Sequence, residues 1–271
     1  MNNPDKYGRS LHAPISLGTT SDDRFIPKGF LKAFAEMDEL VLTEKLDGQN
    51  DCFKKVGVFA RSHAAPTIHD WDKPMRERWD LIKNDLGALE IFGENMYAHH
   101  SIAYKNLESY YYVFAVREGD RWLSWEEVKF YANMLDFPTV PEIPIKITLK
   151  DYYKGKETID ENKVLEGWLT ENLGMTWEES VNTPGLLGGY DPITGADASE
   201  GFVIRNADGY VKNDGVIQVA SNEFNNLFKL VRAGHVTTDE HWTKNWKEAT
   251  LVDYEKYNWH GYKYLSNGKK I

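Results

Sequence analysis

The chain has 271 residues, 41% of them hydrophobic and 13% aromatic, which is enough for one large folded domain with a small appendage and excludes a disordered protein. Its formal net charge of -10 excludes nucleic-acid binding by bulk electrostatics, so any such contact must be local. The sequence has no run near the roughly 20 apolar residues of a membrane helix, no signal-peptide core and one cysteine, Cys52, so we expect a cytoplasmic protein without a membrane partner.

The N-terminal elements are predicted to be a helix followed by a strand hairpin. Apolar residues at helical spacing predict a helix from 27 to 40. The β-rich run 40–46 predicts a strand, and 56–61 looks like its antiparallel neighbour. Asp47 and Gly48 would then lie close to the joining turn.

The later elements alternate between helices and strands. Spaced apolar residues predict a surface helix over 71–86, and Ser124 with Glu127 forms a capping box that opens another helix. Residues 182–198 are rich in Gly and Pro and predict a long loop. The predicted strands of this part are 89–92, 110–116, 201–205 and 228–232. These elements indicate a sheet with helices between its strands.

The segment 43–50 has the clearest potential for chemistry, because it puts Lys45 at the end of a predicted strand and Gly48 in the following turn. Side chains alternate along a strand, so Lys45 and Asp47 should point the same way. A nucleophilic lysine must lose its proton, which requires desolvation or positive neighbours such as a bound metal ion or the cations of 229–232. A solvated hairpin lysine is the alternative, since Asp-Gly turns are common.

Three further segments place charged residues at strand ends. Glu94 follows a predicted strand at a glycine turn, and Glu200 precedes an apolar strand, where alternation puts it on the face of Phe202. Lys229 and Arg232 lie at the end of the last predicted strand. Taken singly, each segment is explained equally simply by ordinary surface charges beside strands.

The order of these segments along the chain resembles one known family. EKLDGQN, a downstream Arg61, FGE, YVFAV, EGFVIR and FKLVR look like motifs I, Ia, III, IIIa, IV and V of the covalent nucleotidyltransferases, which comprise DNA ligases, RNA ligases and mRNA capping enzymes. The match spans about residues 40–232. Glu44 and Asn50 are similar to the RNA ligase 2 branch, whereas Asp47 departs from the His common there and is similar to the Lys-x-Asp-Gly of DNA ligases and capping enzymes.

The resemblance implies an α+β nucleotidyltransferase (adenylyltransferase, ATP-grasp-like) fold with antiparallel sheets flanked by helices. It implies an ATP-dependent RNA ligase in which Lys45 is the catalytic nucleophile that carries AMP, with Mg²⁺ or Mn²⁺ held by Glu200 and Glu94. Phe114 matches the family position whose ring stacks on adenine. The full set of implied nucleotide-binding residues is Glu44, Leu46, Asp47, Gly48, Asn50, Arg61, Glu94, Phe114, Glu200, Lys229 and Arg232.

Two details of these motifs need a physical reading. We interpret position 48 as requiring glycine because the backbone must approach the ligand closely there. The family usually has a second lysine two residues after the one that matches Lys229, and this chain has Val231 there. Either Arg232 substitutes for it, or Leu227 marks a pair whose first lysine is lost.

We expect residues 1–236 to form the nucleotidyltransferase domain and 237–271 a short helical and aromatic appendage, with no OB-fold. The appendage mixes Trp and Tyr with Lys, a composition that suits either docking on the core or stacking on bases. RNA ends are the expected partner, with DNA or an RNA/DNA nicked duplex as the alternative. We expect a monomer that acts in the cytoplasm, or in the host cytoplasm if the gene is phage-encoded.

Two other functions stay open from the sequence. One is a minimal ATP-dependent DNA ligase or a GTP-dependent mRNA guanylyltransferase, which Glu44, Asn50 and the expected lack of an OB-fold disfavour by resemblance. The other is a non-catalytic nucleotide-binding or RNA-binding relative, which the intact Lys45 and Glu200 disfavour.

Overall fold

The structure is a computed structural model that describes residues 6–211, 223–234 and 246–252. The chain folds into two compact units. Of the described residues, the first unit comprises 6–7, 47–140 and 246–252, and the second comprises 8–46, 141–211 and 223–234. Within the described ranges, no helix is both long and apolar enough to cross a membrane.

The strands and helices of the described residues follow in chain order. The strands are β1 Arg9–His12, β2 Leu40–Lys45, β3 Gln49–Lys54, β4 Gly57–Ala60, β5 Leu89–Asn95, β6 Ala103–Tyr104, β7 Tyr111–Glu118, β8 Arg121–Trp122, β9 Glu142–Ile143, β10 Gly189–Tyr190, β11 Gly201–Asn206, β12 Tyr210–Val211 and β13 Glu223–Val231. The helices are α1 Phe30–Ala35, α2 Lys73–Ile82, α3 Trp125–Met134, α4 Leu149–Tyr153, α5 Glu161–Leu173 and α6 Trp177–Ser180, and a 3-10 turn, Asp70–Asp72, precedes α2.

The second unit is built on a five-stranded sheet in the order β1-β13-β11-β2-β9. The pair β1–β13 is parallel and the other pairs are antiparallel. Phe202 and Ile204 of β11, with Phe228 and Leu230 of β13, belong to one hydrophobic core to which α1, α5 and α6 also contribute. Because side chains alternate along a strand, Val203 and Lys229, which lie between these core residues, face the other side of the sheet.

The first unit contains the antiparallel run β8-β7-β5-β3-β4. The register between β5 and β7 shifts between Phe92 and Gly93, which marks a bulge directly before Glu94. Segment 246–252 also belongs to this unit, where Glu248 forms a bridge with Ala98. The first unit thus contains β3, which begins at the end of the EKLDGQN motif, and β5, which carries the FGE motif.

The predicted α+β class with antiparallel sheets is confirmed, but the predicted hairpin of 40–46 with 56–61 is wrong. β4 pairs with β3, a strand that the sequence analysis did not predict, and the antiparallel neighbours of β2 are β11 and β9. The polar start of the segment 49–54 hid this strand, although its last four residues are buried.

The helix predictions differ mainly in their boundaries. α1 begins at Phe30, after Gly29, rather than at residue 27. The capping box of Ser124 and Glu127 is confirmed at the start of α3, where each residue bonds the backbone of the other. The helical appendage predicted over 237–271 lies outside the described residues except for 246–252, so its boundary and its helical form stay predictions.

Candidate active site

The end of β2 brings the predicted nucleophile and one predicted carboxylate into direct contact. Lys45 Nζ lies 2.7 Å from Glu200 Oε2. The Lys45 side chain is 24% exposed and that of Glu200 only 6%. Since Lys45 pairs with Gly201 in the β2–β11 register, the residue before Gly201 meets the lysine across the two strand ends. The structure thus joins two motifs that are 155 residues apart.

Further polar residues lie on the sheet face that carries Lys45. Val203 pairs with Thr43 of β2 and with Lys229 of β13, and Lys229 pairs with His12 of β1. Paired residues on neighbouring strands share a face. This face, opposite the hydrophobic core, therefore carries two lysines, which suit a phosphate-bearing ligand, together with the buried His12.

Gly201 explains why Glu200 can reach Lys45. Simple alternation predicted Glu200 on the face of Phe202, which lies in the core. Gly201 has a φ of 152°, and a Cβ there would lie 1.9 Å from the carbonyl oxygen of Leu230. Only glycine fits, and its backbone conformation breaks the alternation. The predicted shared face of Glu200 and Phe202 is therefore wrong.

Glu44 lies on the opposite face of the sheet from Lys45. It pairs with Phe202, is buried, and accepts the backbone N–H of Leu186 at 2.9 Å. Burial raises the pKa of Glu44 to about 7, and the hydrogen bond from Leu186 opposes this only in part. Leu46, the next residue after Lys45, is buried. The geometry favours a structural role for Glu44, and its predicted contact with a nucleotide stays a prediction.

At the end of β13, Lys229 is accompanied by Val231 rather than by a second lysine. Val231 is buried, and its backbone N–H donates to Ser16 Oγ at 2.9 Å. Arg232 follows the strand, and its charge contributes to lowering the pKa of Asp191, after the dominant hydrogen bond from Ile193. The replacement of the second lysine by Arg232 stays a prediction.

In the first unit, Gly48, Asn50 and Glu94 form a second group of predicted site residues. Gly48 N–H donates to Glu94 Oε1 at 3.1 Å, and Asn50 pairs with Glu94 across β3 and β5. A Cβ at Gly48 would lie 2.5 Å from the carbonyl oxygen of Asn95. The glycine is thus required by close packing on β5, a reason that the sequence analysis did not anticipate.

Asp47 is held by backbone groups of the loop before β6. Its Oδ2 accepts the N–H groups of Ser101 and Ile102 at 2.7 and 2.8 Å, and its own N–H donates to Tyr104 Oη at 2.9 Å. β2 ends at Lys45, so the strand alternation that was expected to align Asp47 with Lys45 does not extend this far. The strand is two residues shorter than that expectation requires, so alternation does not support it, and the direction of Asp47 relative to Lys45 stays a prediction.

The remaining predicted residues of the first unit lie on separate elements. Arg61 is exposed in the turn after β4. Phe114 is 8% exposed, and its ring packs edge-on against Tyr7 with centroids 5.1 Å apart. Of the aromatic residues in the predicted appendage, Trp246 is described, and its ring lies 5.6 Å from that of Tyr97. Adenine stacking by Phe114 stays a prediction.

Sequence reasoning missed a buried polar network beside these residues. Asp51 and Asp72 are both fully buried, and Gln49 Nε2 donates to Oδ1 of each at 2.6 and 2.7 Å. Asn95 Nδ2 also donates to both, at 2.9 and 3.1 Å, and Thr67 donates to the other oxygen of Asp72. The alternation of Gln49 with Asp51 was one available signal, but nothing in the sequence pointed to Asp72.

The described residues contain no group of three His, Cys, Asp or Glu side chains arranged to hold a metal ion. Mg²⁺ is usually bound by one or two carboxylates together with phosphate oxygens and water, so this finding is compatible with a site that needs the nucleotide for completion. Glu200, buried and charged beside Lys45, fits such a role, and Glu94 is the second predicted ligand.

The chain belongs to the RNA ligase family, whose model matches residues 38–231. This stretch contains the Lys45–Glu200 pair, Lys229 and the group around Glu94. No curated protein sequence matches the chain significantly.

Several solved structures are similar at low identity. An apo mutant of Naegleria gruberi RNA ligase is 17% identical, with 84% of this chain and 59% of that chain covered and a TM-score of 0.42. Another mutant of the same ligase, with ATP and Mn, is 14% identical, with coverages of 89% and 64% and a TM-score of 0.43. An archaeal ATP-dependent RNA ligase is 13% identical, with coverages of 82% and 48% and a TM-score of 0.43. The chain therefore spans about half to two thirds of these relatives.

Proposed function

We propose that the protein is an ATP-dependent RNA ligase that joins 3′-hydroxyl and 5′-phosphate ends through a lysyl-AMP intermediate on Lys45. The observation that carries this proposal is the contact of Lys45 with Glu200 at 2.7 Å, on a sheet face shared with Lys229, in a chain of the RNA ligase family. Similar solved ligases that contain ATP and Mn support the choice of nucleotide and divalent ion.

In the first step, Lys45 Nζ attacks the α-phosphorus of ATP. The N–P bond forms as the bond to the departing pyrophosphate breaks, which leaves AMP on the lysine as a phosphoramidate. The Glu200 carboxylate favours the charged ammonium form of Lys45, so this contact must loosen before attack. Lys229, on the same face, would balance charge on the α-phosphate.

The other residues of the proposed site hold the ligands. Glu200 and Glu94 would hold Mg²⁺ or Mn²⁺, which supplies positive charge against the polyphosphate when bound. Arg61 would contact phosphate or the RNA end, and Phe114 would stack on adenine. AMP then passes to a 5′-phosphate end, and a 3′-hydroxyl displaces it to form the phosphodiester.

The test is transfer of label from α-labelled ATP to the protein in the presence of magnesium, followed on a denaturing gel. The wild type should retain label, whereas Lys45→Ala and Lys45→Arg should not, because arginine keeps the positive charge but lacks the nucleophile. Label from GTP alone would indicate a guanylyltransferase. No label from either nucleotide would overturn the proposal.

The polynucleotide is tested separately with matched nicked duplexes. We expect sealing of RNA ends that carry a 5′-phosphate and a 3′-hydroxyl, and weaker sealing of the same ends in DNA. Faster sealing of the DNA nick would move the assignment to a minimal DNA ligase.

A further inference from the structure

The end of β1 carries three linked polar side chains that the proposed chemistry does not use. His12 Nδ1 lies 2.8 Å from Ser16 Oγ, and His12 Nε2 lies 3.2 Å from Asp23 Oδ1. The other Asp23 oxygen accepts the N–H and hydroxyl groups of Thr20 at 2.9 and 3.1 Å. His12 and Ser16 are buried. We call Asp23, His12 and Ser16 the relay.

The surroundings of the relay favour one arrangement of its protons. Burial, followed by the charge of Lys229, lowers the pKa of His12 to about 4, so the imidazole is neutral near pH 7. Burial pushes the pKa of Asp23 up, but hydrogen bonds from Thr20 and the neighbouring charges outweigh it and lower that pKa overall. A carboxylate only accepts hydrogen bonds, so the nearby Asp23 favours the tautomer with its proton on Nε2, in which Nδ1 accepts from the Ser16 hydroxyl.

The relay is not a hydrolytic triad. Ser16 Oγ accepts the backbone N–H of Val231 at 2.9 Å, lies 2.8 Å from His12 Nδ1, and is 3.5 Å from the carbonyl oxygen of Val231, to which its hydroxyl can also donate. In a serine-hydrolase triad the serine meets Nε2 and the carboxylate meets Nδ1, the reverse of the order here. The serine is thus a structural link, and the relay ends on the backbone of β13.

The hydrogen bond between Ser16 and Val231 lies at the end of β13, between Lys229 and the backbone contact with Glu200. The carbonyl oxygen of Val231 accepts the N–H groups of Leu17 and Gly18 at 3.2 and 2.8 Å. One residue later, the N–H of Arg232 donates to the carbonyl oxygen of Glu200 at 2.8 Å. The segment 12–18 therefore holds the backbone directly between the motif V lysine and the carboxylate that contacts Lys45.

His12 also lies on the sheet face of Lys45 and Lys229. It pairs with Lys229 in the parallel register of β1 and β13, and Ala13 N–H donates to the Lys229 carbonyl oxygen at 2.8 Å. The His12 side chain is 2% exposed and both its ring nitrogens face protein groups, so it is not placed to touch a ligand directly. Any effect on a ligand must pass through the strand that carries Lys229.

We propose that His12 is a positioning residue for nucleotide phosphates, acting through Ser16 on the end of β13 so that Lys229 and Glu200 are held in register with Lys45. The inference rests on the proposed function, because it assumes that this face binds the phosphates of a nucleotide. It predicts that breaking the relay weakens recognition of phosphate and leaves recognition of the adenosine part unchanged.

The experiment compares two probes on the full-length protein: α,β-methylene-ATP, which cannot transfer AMP, and adenosine, which lacks phosphate. Binding of both is followed by NMR up to millimolar concentration. Ser16→Ala should bind α,β-methylene-ATP about tenfold more weakly than the wild type, because Val231 N–H loses its acceptor. Adenosine binding should not change.

Two substitutions at His12 separate the two halves of the relay. His12→Asn keeps an acceptor near the position of Nδ1 and so preserves the bond to Ser16, whereas His12→Gln keeps a donor near Nε2 and so preserves the contact with Asp23. Since the link to β13 runs through Ser16, His12→Asn should retain most of the affinity for α,β-methylene-ATP, and His12→Gln should resemble Ser16→Ala.

The outcomes distinguish this inference from the proposed function. If the wild type fails to bind α,β-methylene-ATP, the proposed function itself fails. If the wild type binds it and Ser16→Ala binds it equally well, or if Ser16→Ala loses both probes to the same extent, the positioning role is overturned. Equal affinities of His12→Asn and His12→Gln would overturn the route through Ser16.

Discussion

Two groups of acidic residues occur within the matched region of the chain and are built on opposite principles. In the second unit, Glu200 faces a cation, since its carboxylate lies 2.7 Å from Lys45 Nζ. In the first unit, Asp51 and Asp72 face each other, fully buried, with two side-chain amides bridging them. One arrangement pairs opposite charges at the ends of two strands, and the other buries two carboxyl groups side by side.

This difference shows that a strongly shifted pKa does not by itself locate the reactive site. Burial, followed by the charge of Asp72, raises the pKa of Asp51 well above its usual range, and burial also raises that of Asp72. Shifted carboxyl groups are often indicators of active sites, but structural networks shift them too. Here each carboxyl oxygen of Asp51 and Asp72 accepts a hydrogen bond. The two residues therefore have a structural role, because their bonds connect β3, β5 and the segment before α2.

The largest expected effect is on the rate of lysyl-AMP formation, and it distinguishes Glu200 from the pair Asp51 and Asp72. Glu200→Gln should slow formation of lysyl-AMP by about a hundredfold or more, because the charged group beside Lys45 is lost while its shape is kept. Its free energy of unfolding should stay within about 1 kcal/mol of the wild type, because the amide oxygen still accepts from Lys45. Labelling with α-labelled ATP and urea unfolding measure the two quantities. Unchanged labelling would remove Glu200 from the proposed site.

In the first unit, the main expected effect is on the free energy of unfolding. Asp51→Ala removes an acceptor from the amides of the half-buried Gln49 and the buried Asn95, and should lower the free energy of unfolding by about 3 kcal/mol in urea titrations. Asp51→Asn is the matched control, since it keeps the shape and cannot ionise. Because the pKa of Asp51 and Asp72 is raised in the folded state, wild-type stability should fall as pH rises above the ordinary carboxyl range, and Asp51→Asn should lose less. Equal free energies of unfolding for Asp51→Ala and the wild type would show that Asp51 and Asp72 do not stabilise the fold.

The contrast between the two groups also explains what the sequence could predict. The resemblance of the ordered motifs to a known family predicted Lys45, Glu200 and Lys229 as site residues, and the apolar patterns of their strands predicted the elements that carry them. The pairing of β3 and the role of Asp72 were not predictable, because they depend on contacts between segments that share no periodicity. Gly201 shows the same limit, since alternation misplaced Glu200 until the local backbone was known.

Glu44 sharpens the comparison, because it is a buried carboxyl on the core side of the same strand as Lys45. Its pKa is raised from 4.5 to about 7. A carboxyl whose folded pKa is raised stabilises the fold fully below its unfolded pKa, and this contribution is lost as pH rises through the folded value. Wild-type stability should therefore fall by about 3 kcal/mol between pH 4.5 and pH 7 from this group, whereas Glu44→Gln should lack that component. Urea unfolding of both proteins at pH 5 and pH 8 measures the difference, and parallel pH profiles would contradict it.

The smallest effect concerns the loop that covers Glu44. Gly185 has a φ of 59°, and a Cβ there would lie 2.3 Å from Glu44 Oε1. Gly195, in the same loop, has a φ of 75° and nothing within 4 Å of a Cβ. Alanine at either position costs about 1 kcal/mol for its left-handed backbone, so Gly195→Ala is a matched control for that cost. Gly185→Ala should lose roughly 1 kcal/mol more, because the Glu44 carboxyl must move within a buried site.

The same pair of variants tests whether Glu44 acts on the loop or on the nucleotide. If Glu44 is structural, Gly185→Ala should alter stability more than the affinity for α,β-methylene-ATP, and combining it with Glu44→Gln should give less than the sum of the two losses, since both act on one contact. Strict additivity would separate Gly185 from Glu44. A loss of nucleotide affinity at unchanged stability would instead return Glu44 to the nucleotide pocket, where the resemblance to the family first placed it.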